Sequence, residues 1–154
     1  MQLRTATEAD LPNLAALYRD TVLHNAPEHY TAAQTAAWAA VDADSPRFRQ
    51  FILDVTTYVA EHDHGIVGFA GIGDDGHVAS AYVRHDCLRQ GIGSLLMQAV
   101  LTHAQSKQLP RLYAEASEFS LGLFKKFGFS RCDTEVVEHN GVQFTRYLVE
   151  RVLV

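Results

Sequence analysis

Long apolar runs are missing from this chain of 154 residues. Its hydrophobic stretches are short and broken by His, Gly or Asp, and a membrane-spanning helix needs about 20 consecutive apolar residues. No membrane partner is therefore expected. The start, Met1-Gln2-Leu3-Arg4-Thr5, lacks the apolar core of a secretion leader. Cysteine is scarce as well: Cys87 and Cys132 stand alone, without metal or redox spacing, which predicts reduced thiols and a cytoplasmic location. Basic residues are outnumbered, 13 against 18 acidic, for a net charge of -5. No nucleic-acid partner, which would need clustered Lys and Arg, is expected on that balance, and a cationic or neutral substrate suits it better. Repeats, low-complexity tracts and linkers are absent too, so residues 1–154 are expected to form a single domain. Histidine is the exception to scarcity, with eight residues. The closest pair, His62 and His64, flanks Asp63 just before Gly65 and reads as a polar hairpin turn; no metal site is expected.

What is present supports a core, with 47% apolar and 20% charged residues. Gln2 to Thr5 reads as a strand, and Thr7 with Asp10 makes an imperfect helix cap. Leu11, Leu14, Ala15, Tyr18 and Val22 then recur at helical spacing, in a helix ending near His24. Thr31 and Gln34 form a capping box that opens a second helix through Trp38. Ser45-Pro46 opens a third, with Phe48, Phe51 and Ile52 on its apolar face. From Thr57 the period becomes that of strands. Tyr58 to Glu61, Ile66 to Ile72 and Val78 to Val83, separated by Asp63-His64-Gly65 and Asp74-Asp75-Gly76, read as an antiparallel meander. A helix with Ile92, Leu96, Ala99, Val100 and Ala104 on one side follows, then a strand from Arg111 to Ala116, which implies a right-handed parallel crossover. A helix from about Glu118 to Phe127 closes on Gly128, and two last strands flank Asn140-Gly141.

Between the third meander strand and its helix lies Leu88-Arg89-Gln90-Gly91-Ile92-Gly93-Ser94. Glycine accepts backbone angles that cost other residues about 1 to 2 kcal/mol, and a helix N-terminus offers free N–H groups and partial positive charge. Together they make an anion cradle, best suited to phosphate. Alone, the loop is also readable as a tight turn into a helix. It is not a dinucleotide fingerprint, because no third Gly follows, nor a Walker loop, because Gly-Lys-Ser/Thr is absent.

Taken with Val83 before it and Phe124-Lys125-Lys126-Phe127-Gly128-Phe129 about thirty residues beyond it, the loop resembles that of the GNAT superfamily of acyl-CoA-dependent N-acyltransferases. The spacing of Tyr30, Gln34 and Trp38 further resembles a small bacterial YafP-like branch. The resemblance implies an α+β fold, a twisted mixed β-sheet of about seven strands with helices on both faces, in one N-acetyltransferase domain. It implies acetyl-CoA as cosubstrate. Its pyrophosphate would meet Arg89, Gln90, Gly91, Ile92, Gly93 and Ser94, and its pantetheine arm would pair with the backbone of Tyr82 and Val83. Two departures stand out. Leu88 occupies the first loop position, where the family usually has Gln or Arg, and Phe124 stands where many relatives carry the Tyr that protonates the departing thiolate. That role would fall to Ser117, Ser120, another residue or water.

Acyl transfer to an amine needs a neutral nucleophile, a polarised carbonyl and a proton for the thiolate. Alternation along the third meander strand puts Val78, Ser80 and Tyr82 on one face, and His77, Ala79, Ala81 and Val83 on the other. The resemblance makes His77 the candidate base; beside the Asp75-Gly76 turn it is also readable as an exposed residue. Tyr82 is a candidate to orient the amine, or a core aromatic. Glu115 and Ser117 share a strand face near a cleft, with a surface carboxylate as the other reading of Glu115. Tyr30, Trp38 and His24, in the helical insertion, are candidates to roof an acceptor pocket. The expected function is transfer of an acetyl group from acetyl-CoA to a primary amine of a small molecule or peptide, by direct attack in a ternary complex. The alternative is a non-catalytic acyl-CoA-binding sensor of the same fold. Edge strands near the C-terminus are candidates for homodimer pairing.

Overall fold

Capping chemistry sets the early boundaries in the computed structural model, which describes residues 1–63 and 65–153. Strand β1 (Gln2–Thr5) runs into a short 3-10 turn, where the Thr7 amide donates to Asp10 Oδ2 at 2.8 Å. Arg4 holds that carboxylate from the strand at 2.8 Å, and its hydrogen bond brings the Asp10 pKa down to about 2. Helix α1 (Leu11–Asn25) follows. Thr31 and Gln34 exchange the two capping-box bonds that open α2 (Ala32–Ala39), and Ser45 Oγ accepts from the Phe48 amide to open α3 (Pro46–Leu53).

Strands β2 (Thr56–His62), β3 (Gly65–Ile72) and β4 (Val78–Val83) form the meander, and β1 pairs antiparallel with β2. The expected second histidine of the first hairpin, His64, lies outside the described residues. Helix α4 (Ile92–Ser106), strand β5 (Arg111–Ala116) and helix α5 (Leu121–Lys126) come next, then β6 (Ser130–His139) and β7 (Val142–Val152). Asn140 and Gly141 both take positive φ, 50° and 79°, as the tight hairpin between β6 and β7 demands. The chain is thus α+β, with seven strands among the described residues.

The sheet is divided into two. One part is ordered β1-β2-β3-β4 and the other β5-β7-β6. Every ladder within them is antiparallel, and the expected parallel contact between β4 and β5 shrinks to one bridge, His77 to Tyr113. Beyond that bridge the strands diverge. The turn before β4 and a bulge within the strand account for this. Gly76, at φ +91°, presses so close to β5 that a Cβ there would lie 2.1 Å from the Arg111 carbonyl oxygen. Farther along, Gly71 pairs with Ser80 but Ile72 with Val78, so Ala79 is an extra residue in β4. Such a bulge bends and twists its strand.

The bulge corrects the simple alternation expected for β4. Val78 packs with Ala81 and Val83 in the core under α4, whereas Tyr82 packs on the opposite side with Phe69 and the α1 and α3 residues Leu14, Phe48 and Ile52. Helices therefore cover both faces. On α4 the buried stripe is Ile92, Leu96, Met97, Val100, Leu101 and Ala104; Ala99, expected within it, is half-buried at its edge. The α5 helix starts later than Glu118, because Ser117 and Ser120 use their side chains on each other's backbone N–H groups first. No described helix is long and apolar enough to cross a membrane.

Candidate active site

Where β4 and β5 part, the edge of β4 is uncovered from the bulge to Val83. Its backbone polar groups on that side have no strand partner among the described residues. The Val83 carbonyl accepts from Thr21 Oγ1 of α1 at 3.2 Å, fixing the strand end. A narrow cavity of about 100 Å³ lies along this edge, walled by Thr21 and Asn25 of α1, by β4, and by Ser117, Ser120 and Phe124. Two buried polar atoms in its wall, Asn25 Nδ2 and Ser80 Oγ, lack a hydrogen-bond partner. A buried unpaired polar group costs about 1 to 3 kcal/mol, but both atoms are closed off from the cavity itself, and Ser80 Oγ lies toward Gly71 of β3. The uncovered backbone groups of the β4 edge are what a pantetheine arm, with its amides, would meet.

The glycine loop continues from the open end. Gly91, the residue before α4, takes φ +81° and Arg89 takes 62°, both left-handed. The cost of holding a non-glycine there marks the loop as a candidate ligand site. The first helical bond runs from the Leu95 amide to the Gly91 carbonyl, so the amides of Ile92, Gly93 and Ser94 are the free donors of the helix end. Gly93 sits against Leu123 of α5 and Val83 of β4, with a hypothetical Cβ 3.4 Å from Leu123. Lys126 Nζ donates to Ser94 Oγ at 2.9 Å, bringing a cation to the cradle. That lysine sits inside the aromatic motif of α5, yet sequence reasoning weighed only the motif's aromatics. Arg89 and Gln90 are exposed beside the loop.

A second cavity, of about 750 Å³, lies on the other side of the same cleft. Tyr82, Trp38, Glu115 and Ser117 line both cavities, and so mark where they meet. Trp38 Nε1 donates to the Tyr82 hydroxyl at 3.3 Å, and Tyr30 packs edge-on against Trp38 with ring centres 5.2 Å apart. Burial pushes the Tyr82 phenol well above the ordinary tyrosine range, so it stays a proton donor. Both Tyr30 and Trp38 thus stand at the large cavity. His24 does not: its ring stacks on His85, 3.5 Å away, on the loop side of α1.

His77 and Glu115 form a pair, Nε2 to Oε2 at 2.7 Å, with the imidazole stacked on Tyr113. Their hydrogen bond raises the His77 pKa above its ordinary value and lowers that of Glu115. The carboxylate faces both cavities, while the imidazole stands behind it. Ser117 is held by Ser120, Oγ to Oγ at 3.1 Å, and the Tyr30 hydroxyl accepts from the Glu118 amide next to them at 3.0 Å. Phe124 is 3% exposed and packs on Phe129; no hydroxyl is available at that position. Cys87 and Cys132 are free thiols, and no group of three His, Cys, Asp or Glu side chains converges among the described residues.

Residues 26–151 match the family model described as an acetyltransferase (GNAT) domain. The chain is 25% identical over 147 residues to a protein of Escherichia coli described as "Uncharacterized N-acetyltransferase YafP", covering 96% of this chain and 93% of that one. Among solved structures, a GCN5-related N-acetyltransferase from Rhodopseudomonas palustris superposes with a TM-score of 0.93 at 24% identity, over 99% of this chain and 95% of that one. The PaiA N-acetyltransferase of Thermoplasma acidophilum, solved with coenzyme A, gives 0.81 at 15% identity over 98% of both chains. YncA of Salmonella typhimurium, a putative acetyltransferase solved with acetyl-CoA, gives 0.72 at 22% identity, over 100% of this chain and 94% of that one.

Proposed function

Because the chain belongs to the GNAT acetyltransferase family, we propose that it is a single-domain N-acetyltransferase moving an acetyl group from acetyl-CoA to a primary amine of a small molecule or peptide. The observation that carries this reading is the meeting of two cavities at Tyr82, Trp38, Glu115 and Ser117, one running to an amide cradle and the other open to an acceptor. Family membership supports N-acetyltransferase activity in general, and two of the similar structures hold coenzyme A or acetyl-CoA. The cosubstrate supplies an activated thioester. The chain's residues then bind, orient and manage protons.

In this reading the amides from Arg89 to Ser94, with the side chain of Lys126, hold the pyrophosphate. The β4 edge at Tyr82 and Val83 pairs with the pantetheine amides. Glu115 receives the amine at the junction, and His77 orients that carboxylate from behind. The elevated His77 pKa keeps more of the imidazole already protonated and so less of it free to accept a proton; proton acceptance is therefore assigned to the pair, with Glu115 toward the amine. Tyr82 remains protonated and orients the amine through its hydroxyl. Ser117, set beside Ser120 and Tyr30, donates to the departing sulfur in the role that Phe124 lacks the hydroxyl to fill. Two cavities open to one junction support direct attack in a ternary complex, with both substrates seated together.

Phe124 also favours a second reading, an acyl-CoA sensor that binds without turnover. One experiment separates them. Purified protein is incubated with acetyl-CoA and a panel of amines while free thiol is followed, with a thermal shift by CoA measured in parallel. Amine-dependent thiol release is expected. A CoA shift without thiol release from any amine supports the sensor instead.

A further inference from the structure

Arg47 and His139 meet in the wall of the larger cavity. Arg47, the second residue of α3, places Nη2 3.3 Å from Nδ1 of His139, at the end of β6. The other ring nitrogen, Nε2, lies 3.3 Å from Asn140 Nδ2. The orientation of the Asn140 amide is set independently, because Nδ2 also donates to the Ala37 carbonyl at 2.8 Å. A neutral imidazole has one N–H and one acceptor nitrogen. If Nε2 accepts from Asn140, the ring proton sits on Nδ1 and points at the Arg47 guanidinium. With the proton on Nε2 instead, Nδ1 accepts from the guanidinium, and a cation beside the ring favours that tautomer. Protonating the ring would set it as a cation against the guanidinium, and burial and Arg47 together hold its pKa below the ordinary value.

The charge at this place is uncompensated. Asp42 and Glu138 also line the cavity, but among the described residues no carboxylate is within ion-pair distance of Arg47. Arg146, the other arginine in the wall, is occupied by Glu135 at 2.5 Å. The hairpin carrying His139 is fastened to α2 by Asn140 and by Gln34, whose Nε2 donates to the Gln143 carbonyl at 3.1 Å. The imidazole is therefore held in place as a neutral partner of Arg47, which leaves the guanidinium charge and its other N–H groups for an anion.

We propose that the acceptor is a small primary amine that also carries a carboxylate, whose oxygens accept from the Arg47 guanidinium in the cavity wall while its amine reaches Glu115. This rests on the transferase reading above, and it refines the whole-chain charge argument: the net charge is negative, but Arg47 is a cation in the cavity wall without a carboxylate partner. The guanidinium supplies a charge-assisted bond.

The test uses Trp38, the chain's single tryptophan, whose ring lines the cavity, so that its emission reads acceptor binding without turnover. CoA-saturated protein is titrated with β-alanine, γ-aminobutyrate and glycylglycine, each against its own carboxamide, and initial rates with acetyl-CoA are taken for the same pairs. At least one acid is expected to bind about tenfold or more tightly than its amide, the range of a hydrogen bond to a charged group. R47M should abolish that preference through KM with kcat little changed, and R47K should restore part of it. Thermal midpoints with and without CoA establish that both variants fold. Equal binding of every acid and its amide, or a preference that survives in R47M, overturns the anion site whatever the activity. A preference lost in R47M, without thiol release from any amine, upholds the anion site and rejects the transferase. Response to glycylglycine alone would assign the carboxylate to a peptide terminus and overturn the small-molecule assignment.

Discussion

The coenzyme cradle and the acceptor chamber meet at four residues, yet they are built of different material. The cradle is consecutive backbone: the amides that open α4, aimed by left-handed angles at Arg89 and Gly91. The chamber is made of side chains from α1, α2, α3, β4, β5 and the β6–β7 hairpin, so that Tyr18, Trp38, Arg47, Tyr82, Glu115 and His139 arrive from six places. A backbone site tolerates most substitutions that keep its dihedral angles. A side-chain site is altered by any one of its contributors. One coenzyme can therefore be kept while acceptors change, and selective variants should separate the two regions.

The largest effect should come from the position that breaks both together. In Gly76→Ala the new Cβ would meet the Arg111 carbonyl oxygen at 2.1 Å, in a backbone conformation that already disfavours a side chain. Neither partner atom is a flexible side-chain end, so β4 and β5 must separate where they join. A loss of about 3 kcal/mol or more is expected in urea unfolding. An unchanged midpoint would mean that the two half-sheets are not anchored there.

Glu115→Gln should spare the cradle and disable the chamber. It removes the carboxylate at the junction and the charge facing His77. A fall in kcat/KM of about a hundredfold or more is expected, the usual range for a positioned acid-base group, with CoA affinity unchanged. The pair also has a pH signature. His77 has its pKa raised from 6.5, so its contribution to stability is full below 6.5 and is lost as pH rises through the raised value. Glu115 has its pKa lowered from 4.5; its contribution is full above 4.5 and is lost as pH falls through the lowered value. The pair is thus most stabilising between 4.5 and 6.5. An NMR titration of the His77 ring should show a midpoint above 6.5 that returns toward it in Glu115→Gln. A midpoint indifferent to the substitution would dissolve the pair.

The same division explains what could be read from the residues alone. Thr31 and Gln34, Ser45-Pro46 and Asn140-Gly141 act on their immediate neighbours, and each sets an element boundary in the fold. The glycine loop is equally local, because consecutive amides form it. The parting of β4 from β5 is not local. It depends on an extra residue at Ala79, invisible to an alternation count, and on the approach of Gly76 to a strand 35 positions later. Arg47 and His139 lie 92 residues apart, and nothing in either segment announces the other. Glu115 and His77 were individually suspect, but their coupling required the bridge between the strands.

Two cradle variants give smaller, graded effects. Gly91→Val adds a β-branched side chain at φ +81°, where no atom lies within 4 Å of a new Cβ, so it introduces backbone strain without a clash. That strain, about 1 to 2 kcal/mol, should weaken CoA by about tenfold in a calorimetric titration while leaving acceptor-induced Trp38 emission changes intact. If CoA affinity is unmoved, the left-handed angle is not part of the coenzyme site. Lys126→Ala tests the least structured contributor. Its ammonium is exposed and held by a single bond to Ser94 Oγ, and it faces a site whose main donors are backbone. Exposed charge contacts contribute about 0.2 to 1 kcal/mol and are screened by salt. The loss in CoA affinity should thus be no more than about fivefold at low ionic strength and should vanish at high salt. A large loss that persists in salt would mean that side-chain charge, not backbone, holds the coenzyme, and the contrast between cradle and chamber would fail on the cradle's side.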